Sequence, residues 1–297
     1  MQKEFEWNGK AMGTEYSVAI ICDESKIAET IYKEVEKDIQ EYEKTFSRFI
    51  PTSELSIINE NKKMIVSSTF LEVTKKAYDL FVKTKGIFNP LVQISRLGYN
   101  KRFVDLENET KVDNDTLYDI DFSTVIIDEE TSYIELQGGQ KLDYGGFLKG
   151  FLAEKLAKKI KNYNAGITGV IVNLGGDIYT LGHDENQNKF TFNIHNPVLP
   201  NQVIDIELEN QSLATSGTYK RTWKNGGEIV HHILNQNGDK NPDTEIVSVS
   251  VIHPCGAKAE AYTKMFFGVD PVHVQEILGE KNSFILIKNN GEVIRNI

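Results

Sequence analysis

Leu142-Asp143-Tyr144-Gly145-Gly146-Phe147-Leu148-Lys149-Gly150 places two adjacent glycines between a strand-like run and an amphipathic segment. Glycine lets the main chain come close to a ligand, and a helix opening at that point adds unpaired N–H groups and the positive end of its dipole. This is one way to bring bare backbone to a phosphate. Phe147, Phe151, Leu152, Leu156 and Ile160 recur on one side of the predicted helix, with Lys155, Lys158 and Lys159 on the other. The spacing matches neither a P-loop nor a dinucleotide-binding G-x-G-x-x-G, and a glycine pair before a helix more often marks a tight turn.

Working outward, residues 3–22 read as two strands around Met12-Gly13-Thr14, because Tyr16, Val18 and Ile20 alternate with smaller or more polar neighbours. Ile27, Ile31, Val35, Ile39 and Tyr42 predict a long helix from Ser25 to Phe46. A second helix is predicted from Thr69, whose hydroxyl and Glu72 would make a capping box, to just before Gly86. Val125–Ile127 and Tyr133–Leu136 predict a hairpin that delivers the chain to the glycine pair. Phe190–Ile194, Val203–Ile206 and Val247–Val251 read as further strands. Asp270 as N-cap, Pro271 at the first position and Gly279 past the end frame a C-terminal helix, and Asn289-Asn290-Gly291 turns a last hairpin. With no repeat, low-complexity tract or linker, the expectation is a single intertwined α+β domain over residues 1–297.

Composition narrows the function classes. With 33 Lys and Arg against 43 Asp and Glu, the net charge of −10 argues against nucleic acid as a partner. Cys22 and Cys255 lie far apart, which favours free thiols in a reducing compartment over a structural disulfide. No segment approaches the roughly 20 apolar residues needed to span a bilayer. Met1–Trp7 contains neither a signal-peptide run nor a cysteine for lipid attachment, so the expected location is cytoplasmic. His183, His195, His253 and His273 show no metal-ligand spacing, and a zinc site is not expected.

The glycine segment is one of a series. Met12-Gly13-Thr14 precedes it; Asn173-Leu174-Gly175-Gly176-Asp177-Ile178, Ala214-Thr215-Ser216-Gly217-Thr218-Tyr219-Lys220-Arg221, His231-His232-Ile233-Leu234 and Ala259-Glu260-Ala261-Tyr262-Thr263-Lys264 follow. In this order and spacing they resemble the ApbE family, the FAD:protein FMN transferases, from about Trp7 onward. The resemblance implies a layered, T-fold-like α+β domain with mixed or antiparallel sheets and flanking helices. It also implies transfer of FMN from FAD to a Ser or Thr hydroxyl of a protein acceptor, with release of AMP. Related alternatives are an FAD-binding protein of the same fold without transferase activity, and an FAD pyrophosphatase.

Carried over by position, the resemblance implies that Met12, Phe49, Asp143, Lys149 and Leu234 contact FAD, with Phe49 stacking on one of its rings. In the family one Mg²⁺ bridges the pyrophosphate, held by a backbone carbonyl of the glycine segment and by an Asp and a Thr of a later block. Here those positions read Gly146, Glu260 and Lys264. A metal ligand has become a cation. Either Thr263 supplies the missing oxygen beside Gly146 and Glu260, or Lys264 takes the place of Mg²⁺ as counter-charge to the phosphates. A second departure puts Asn235 where the family carries Asp, while His232 remains, with Lys264, as a candidate catalytic group.

Overall fold

The computed structural model describes residues 1–99, 120–279 and 282–297. Strands β1 (Lys3–Ala11) and β2 (Thr14–Cys22) form an antiparallel hairpin. Its two turn residues, Met12 and Gly13, both have positive φ, 53° and 70°. That pair of left-handed residues suits a tight hairpin whose twist follows that of the strands. Helix α1 (Ser25–Phe46) then packs Ile31, Val35, Ile39 and Tyr42 into the core, as the spacing predicts, with Ile27 partly buried against it.

Helix α2 (Glu54–Asn61), capped by Ser53, is not evident from the sequence, because eight residues give too little apolar repeat to read. After β3 (Lys63–Ile65) comes α3 (Ser68–Lys83). Its cap is Ser67, which accepts the Phe70 N–H at 3.1 Å, so the Thr69 capping box expected from sequence does not form. The predicted hairpin is present as β4 (Ile126–Asp128) and β5 (Tyr133–Glu135), with β3 added on the far side of β5.

The glycine segment opens α4 (Leu148–Tyr163), and β6 (Gly169–Leu174) and β7 (Asp177–Gly182) follow as a second two-residue hairpin. Its turn residues Gly175 and Gly176 again have positive φ, 68° and 99°. A Cβ on Gly175 would lie 2.5 Å from Thr14 Oγ1, so the two hairpin turns rest on one another. The remaining elements are β8 (Phe190–His195), β9 (Val203–Leu208), β10 (Ser212–Gly217), β11 (Thr222–Asn225), β12 (Glu228–His231) and β13 (Ile246–His253). They are completed by α5 (Gly256–Met265), α6 (Pro271–Leu278), β14 (Ser283–Lys288) and β15 (Val293–Asn296). Asp270, Pro271 and Gly279 bound α6 as expected.

The main sheet has eight strands in the order β1-β2-β6-β7-β10-β13-β14-β15, and each of its ladders is antiparallel. The architecture is therefore α+β as expected, with antiparallel rather than mixed pairing. Successive side chains on a strand leave by opposite faces, and here they feed two cores. Tyr179 and Leu286 join the large cluster beneath α1, α3, α4 and α5, while Ile178 and Ile285 join a smaller one. The smaller cluster is closed by Ile194, Ile204 and Ile206 of the β8–β9 hairpin, so the layers run helices, sheet, hairpin.

Where α4 crosses α5 the two backbones touch. A Cβ on Gly150 would stand 2.3 Å from the Gly256 carbonyl oxygen, and one on Gly256 would stand 2.1 Å from that of Gly150. No side-chain rotation relieves a clash with backbone, so Gly150→Ala or Gly256→Ala should lower stability by about 2 kcal/mol or more. Gly268, whose Cβ would meet nothing within 4 Å, is the control. Denaturant midpoints of the three alanine variants check this, and equal midpoints would refute the crossing.

Candidate active site

The glycine segment is held from behind by aromatic packing. Tyr144, 1% exposed, donates or accepts at Thr74 Oγ1 at 2.7 Å, and its ring lies edge-on to Phe46, Phe70 and Phe147. Asp143 then closes the turn: Oδ1 accepts the Gly145 N–H at 2.8 Å, and Oδ2 takes the Arg48 guanidinium at 3.3 Å. Gly145 and Gly146 are not in the left-handed region. Gly146 is required for space instead, since a Cβ there would press to 2.9 Å on the Phe88 ring.

Two cavities meet over this turn, and Ile94, Asp143, Gly145 and His232 line both. The larger, about 200 Å³, is bounded by Met12, Phe49, Tyr99 and Leu148 and by the cations Arg48, Lys149 and Arg221. The smaller, about 110 Å³, is bounded by Phe88, Gly146, Leu234, Asn235 and Lys264. Arg48 is a feature the sequence did not single out: its guanidinium lies 4.7 Å from the centre of the Phe49 ring and 4.6 Å from that of Tyr99. A roomier concavity of about 540 Å³ lies between α3 and α4, but it is a surface trough whose lining charges pair with one another, Lys155 with Glu72 and Lys158 with Glu154.

Beneath the cavities lies a cluster of buried charge. Lys149 Nζ donates to Asp177 Oδ2 and, at 2.6 Å, to Glu260 Oε1. The other oxygen of Glu260 accepts the Gly150 N–H in the first turn of α4 at 2.8 Å. Lys264 Nζ donates to the Glu260 carbonyl at 2.9 Å and stands 3.7 Å from its carboxylate. Burial disfavours charge on all four groups, and their mutual attraction opposes it. For Glu260, the two lysines win and hold the carboxyl below its usual range. For Lys149, burial works against the ammonium but Asp177 and Glu260 overcome it and raise its pKa. For Asp177, burial and the nearby Glu260 prevail over the lysines and push the carboxyl up. Burial also pulls Lys264 below the ordinary lysine range, against the pull of Glu260 and Asp177.

His232 is the second point of interest. Its Nδ1 is buried and has no hydrogen-bond partner among the described residues, at the seam of the two cavities. Burial brings its pKa down to about 3, with repulsion from Arg221 and Lys264 adding to the effect, and burial brings His231 to about 4. His231 accepts the Ile233 N–H at Nδ1, and the Asn241 side chain bonds its backbone on both sides. His231 therefore shapes the loop, and His232 faces the space. Asn235 also serves its loop, accepting the Asp239 N–H at 3.2 Å.

The structure thus brings Met12, Phe49, Asp143, Lys149, Leu234, Gly146, His232 and Lys264 to the walls of one divided cleft. Glu260 and Thr263, 1% and 0% exposed, lie below it. Asp177, the partner of Lys149, was visible in sequence only as part of a Gly-Gly-Asp turn, and nothing marked it as the anchor of a lysine.

The oxygens assigned to Mg²⁺ do not form a set that fits the ion. Thr263 Oγ1 donates to the Glu260 carbonyl at 2.6 Å and meets Ser216 Oγ at 2.6 Å, while the Glu260 carboxylate serves Lys149 and Gly150. Mg²⁺ needs near-octahedral oxygen coordination at about 2.0–2.1 Å. Among the described residues no three His, Cys, Asp or Glu side chains gather to hold a metal.

An antiparallel sheet with helices on one face, carrying a cleft with an aromatic half and lysines along its floor, defines an α+β protein with a cationic, aromatic-lined cleft. Residues 12–286 match the model of the ApbE family. The chain belongs to that family. It is 24% identical to the FAD:protein FMN transferase of Haemophilus influenzae over 99% of this chain and 89% of that protein. A transferase of the same description from Klebsiella pneumoniae is 29% identical, over 61% of this chain and 54% of the relative. Among solved structures, the ApbE protein of Thermotoga maritima superposes with a TM-score of 0.86 at 24% identity, covering 99% of this chain and 97% of that one. The apo flavinyl transferase ApbE of Pseudomonas stutzeri gives 0.80 at 17% identity, with 99% and 94% covered. The fold expected from the sequence motifs is the fold observed.

Two predictions come from the buried charges. Glu260→Ala leaves Lys149 and Lys264 with one carboxylate between them and the Gly150 N–H without its acceptor, and should cost about 3–5 kcal/mol in denaturant unfolding. The histidines set a pH dependence. An unfolded imidazole takes up a proton below about pH 6.5, whereas the folded chain resists until His231 reaches about 4 and His232 about 3. Their contribution is present above the unfolded value and is lost as pH falls through that window. Unfolding free energy measured at falling pH should therefore drop less steeply in a His231→Gln, His232→Asn double variant; an unchanged slope would refute the buried neutral state.

Proposed function

We propose that the protein is an FAD:protein FMN transferase acting through the divided cleft, and that residues 1–297 work as one domain. The observation that carries this reading is the Nδ1 of His232, without a partner among the described residues, set between an aromatic cavity and a pair of half-buried lysines. A buried polar atom without a partner is costly unless a ligand completes it. In this reading Met12, Phe49 and Leu234 pack against the flavin nucleotide, Asp143 and the glycine turn hold its polar edge, and Lys149 and Lys264 face the pyrophosphate.

The hydroxyl oxygen of an acceptor Ser or Thr attacks the phosphorus on the FMN side. The P–O bond to the other phosphate breaks, AMP leaves with the bridging oxygen, and the hydroxyl proton is lost to a base. His232 suits that base once the site is filled. In the empty site its basicity is suppressed by burial and by Arg221 and Lys264, and an arriving dianion offsets the repulsion from those cations and raises its affinity for a proton. Phosphoryl transfer of this kind draws on positioning and charge neutralisation, and the cations Arg48, Lys149, Arg221 and Lys264 around the cleft supply both. Cys22 and Cys255, both free, fit a reducing cytoplasmic setting. Among the described residues no helix is long and apolar enough to cross a membrane.

The purified chain, incubated with FAD and a peptide bearing a flavinylation Ser or Thr, should yield AMP and peptide-linked FMN in equal amounts by mass spectrometry. His232→Asn should lower the rate by about 10²-fold or more, the usual weight of a general base. AMP with free FMN would mean a hydrolase, and FAD recovered whole would mean a binding protein.

A further inference from the structure

We propose that Lys264 provides from within the chain the positive charge that neutralises the pyrophosphate, so that FAD binds here without a divalent cation. The inference rests on the reading of FAD as ligand and concerns what meets its phosphates. Lys264 lines the smaller cavity together with Gly146 and His232. Its Cε would lie 3.9 Å from a Cβ built on Gly146, so the side chain runs along the glycine turn itself.

The four charged groups of the cluster, Lys149 and Lys264 against Asp177 and Glu260, balance. A divalent cation held by Glu260 would have to displace Lys149 from one carboxylate oxygen or the Gly150 N–H from the other, and it would do so next to a second ammonium. Both steps are unfavourable in a poorly solvated site. Thr263 gives no relief, since its hydroxyl is bound to Ser216 and to the Glu260 carbonyl.

Of the two lysines, Lys264 is the one free to respond to a ligand. Lys149 is fixed by two carboxylates, whereas Lys264 holds a backbone carbonyl at 2.9 Å and stands 3.7 Å from the Glu260 carboxylate, with 22% of its side chain exposed. An ammonium on a flexible stem, able to donate three hydrogen bonds, can exchange a carbonyl for phosphate oxygens with little rearrangement.

The test is calorimetric titration of FAD into the full chain, once in EDTA and once in excess Mg²⁺. The expected result is the same affinity in both, with no Mn²⁺ captured by the protein–FAD complex in electron paramagnetic resonance. Lys264→Thr should weaken binding in EDTA by about ten- to a hundredfold, the weight of one charge-assisted hydrogen bond, and Lys264→Arg should retain most of it. Wild-type binding that depends on Mg²⁺, or Lys264→Thr binding as tightly as wild type in EDTA, overturns the proposal while leaving FAD as the ligand. No binding in either buffer removes the FAD reading and the proposal with it. The wild-type titration needs no variant, so the proposal stays testable if Lys264→Thr does not fold.

Discussion

The site depends on the salt-bridged contact between Lys149 and the two carboxylates of Asp177 and Glu260. It ties three elements that are distant in sequence: the start of α4, the hairpin end of β7 and the middle of α5. Buried charges of this kind are weak stabilisers, because desolvation consumes much of the attraction, but they are exacting about geometry. Glu260 meets those demands with both oxygens, one on the ammonium and one on the Gly150 N–H. That second bond exists because α4 and α5 approach until glycine backbones touch. The glycine contact and the ion cluster are two aspects of one constraint: without the first, Glu260 cannot cap α4, and without the second, the crossing would bury an unpaired lysine.

The constraint also engages the backbone at the opening of α4. The opening turn of α4 resembles an anion site in sequence, yet the N–H of Gly150 is already taken by a carboxylate. The helix end is therefore not an open phosphate cradle. The cleft presents ammonium and guanidinium groups around a neutral imidazole. The aromatic packing of Tyr144 against Phe46, Phe70 and Phe147 holds the turn still while this charge is presented.

Much of this was legible from sequence where a residue acts through local chemistry. The hairpin around Met12–Gly13, the α6 boundaries at Asp270 and Gly279, and the core face of α1 all follow from rules within a few residues. What escaped is what depends on distant partners. Helix α2 is too short for its periodicity to stand out. The α3 cap moved from Thr69 to Ser67, because Glu54, a residue from another helix, accepts hydrogen bonds from both the N–H and the hydroxyl of Ser67. The separate β8–β9 layer, Arg48 between two rings and Asp177 beneath Lys149 are tertiary facts with no local mark. The motif blocks listed the ingredients of the cleft in order, but which oxygen was already spent could be read only from the folded chain.

An ammonium and a divalent cation are not equivalent counter-charges, and the difference bears on the rest of the cleft. A single positive charge attracts a pyrophosphate about half as strongly as a double one at equal distance, so further cations are needed to reach the same neutralisation. Arg48 and Arg221 line the larger cavity, where they can make up the deficit. Arg48 is held between Phe49 and Tyr99 and bonded to Asp143, so it is available to phosphate only if those contacts rearrange. A flat ring entering beside Phe49 would compete for the same aromatic faces and release that guanidinium at the moment the phosphates arrive. With FAD as the proposed ligand, ring binding and charge neutralisation would then be coupled through one arginine, because Arg48 meets both aromatic rings and Asp143.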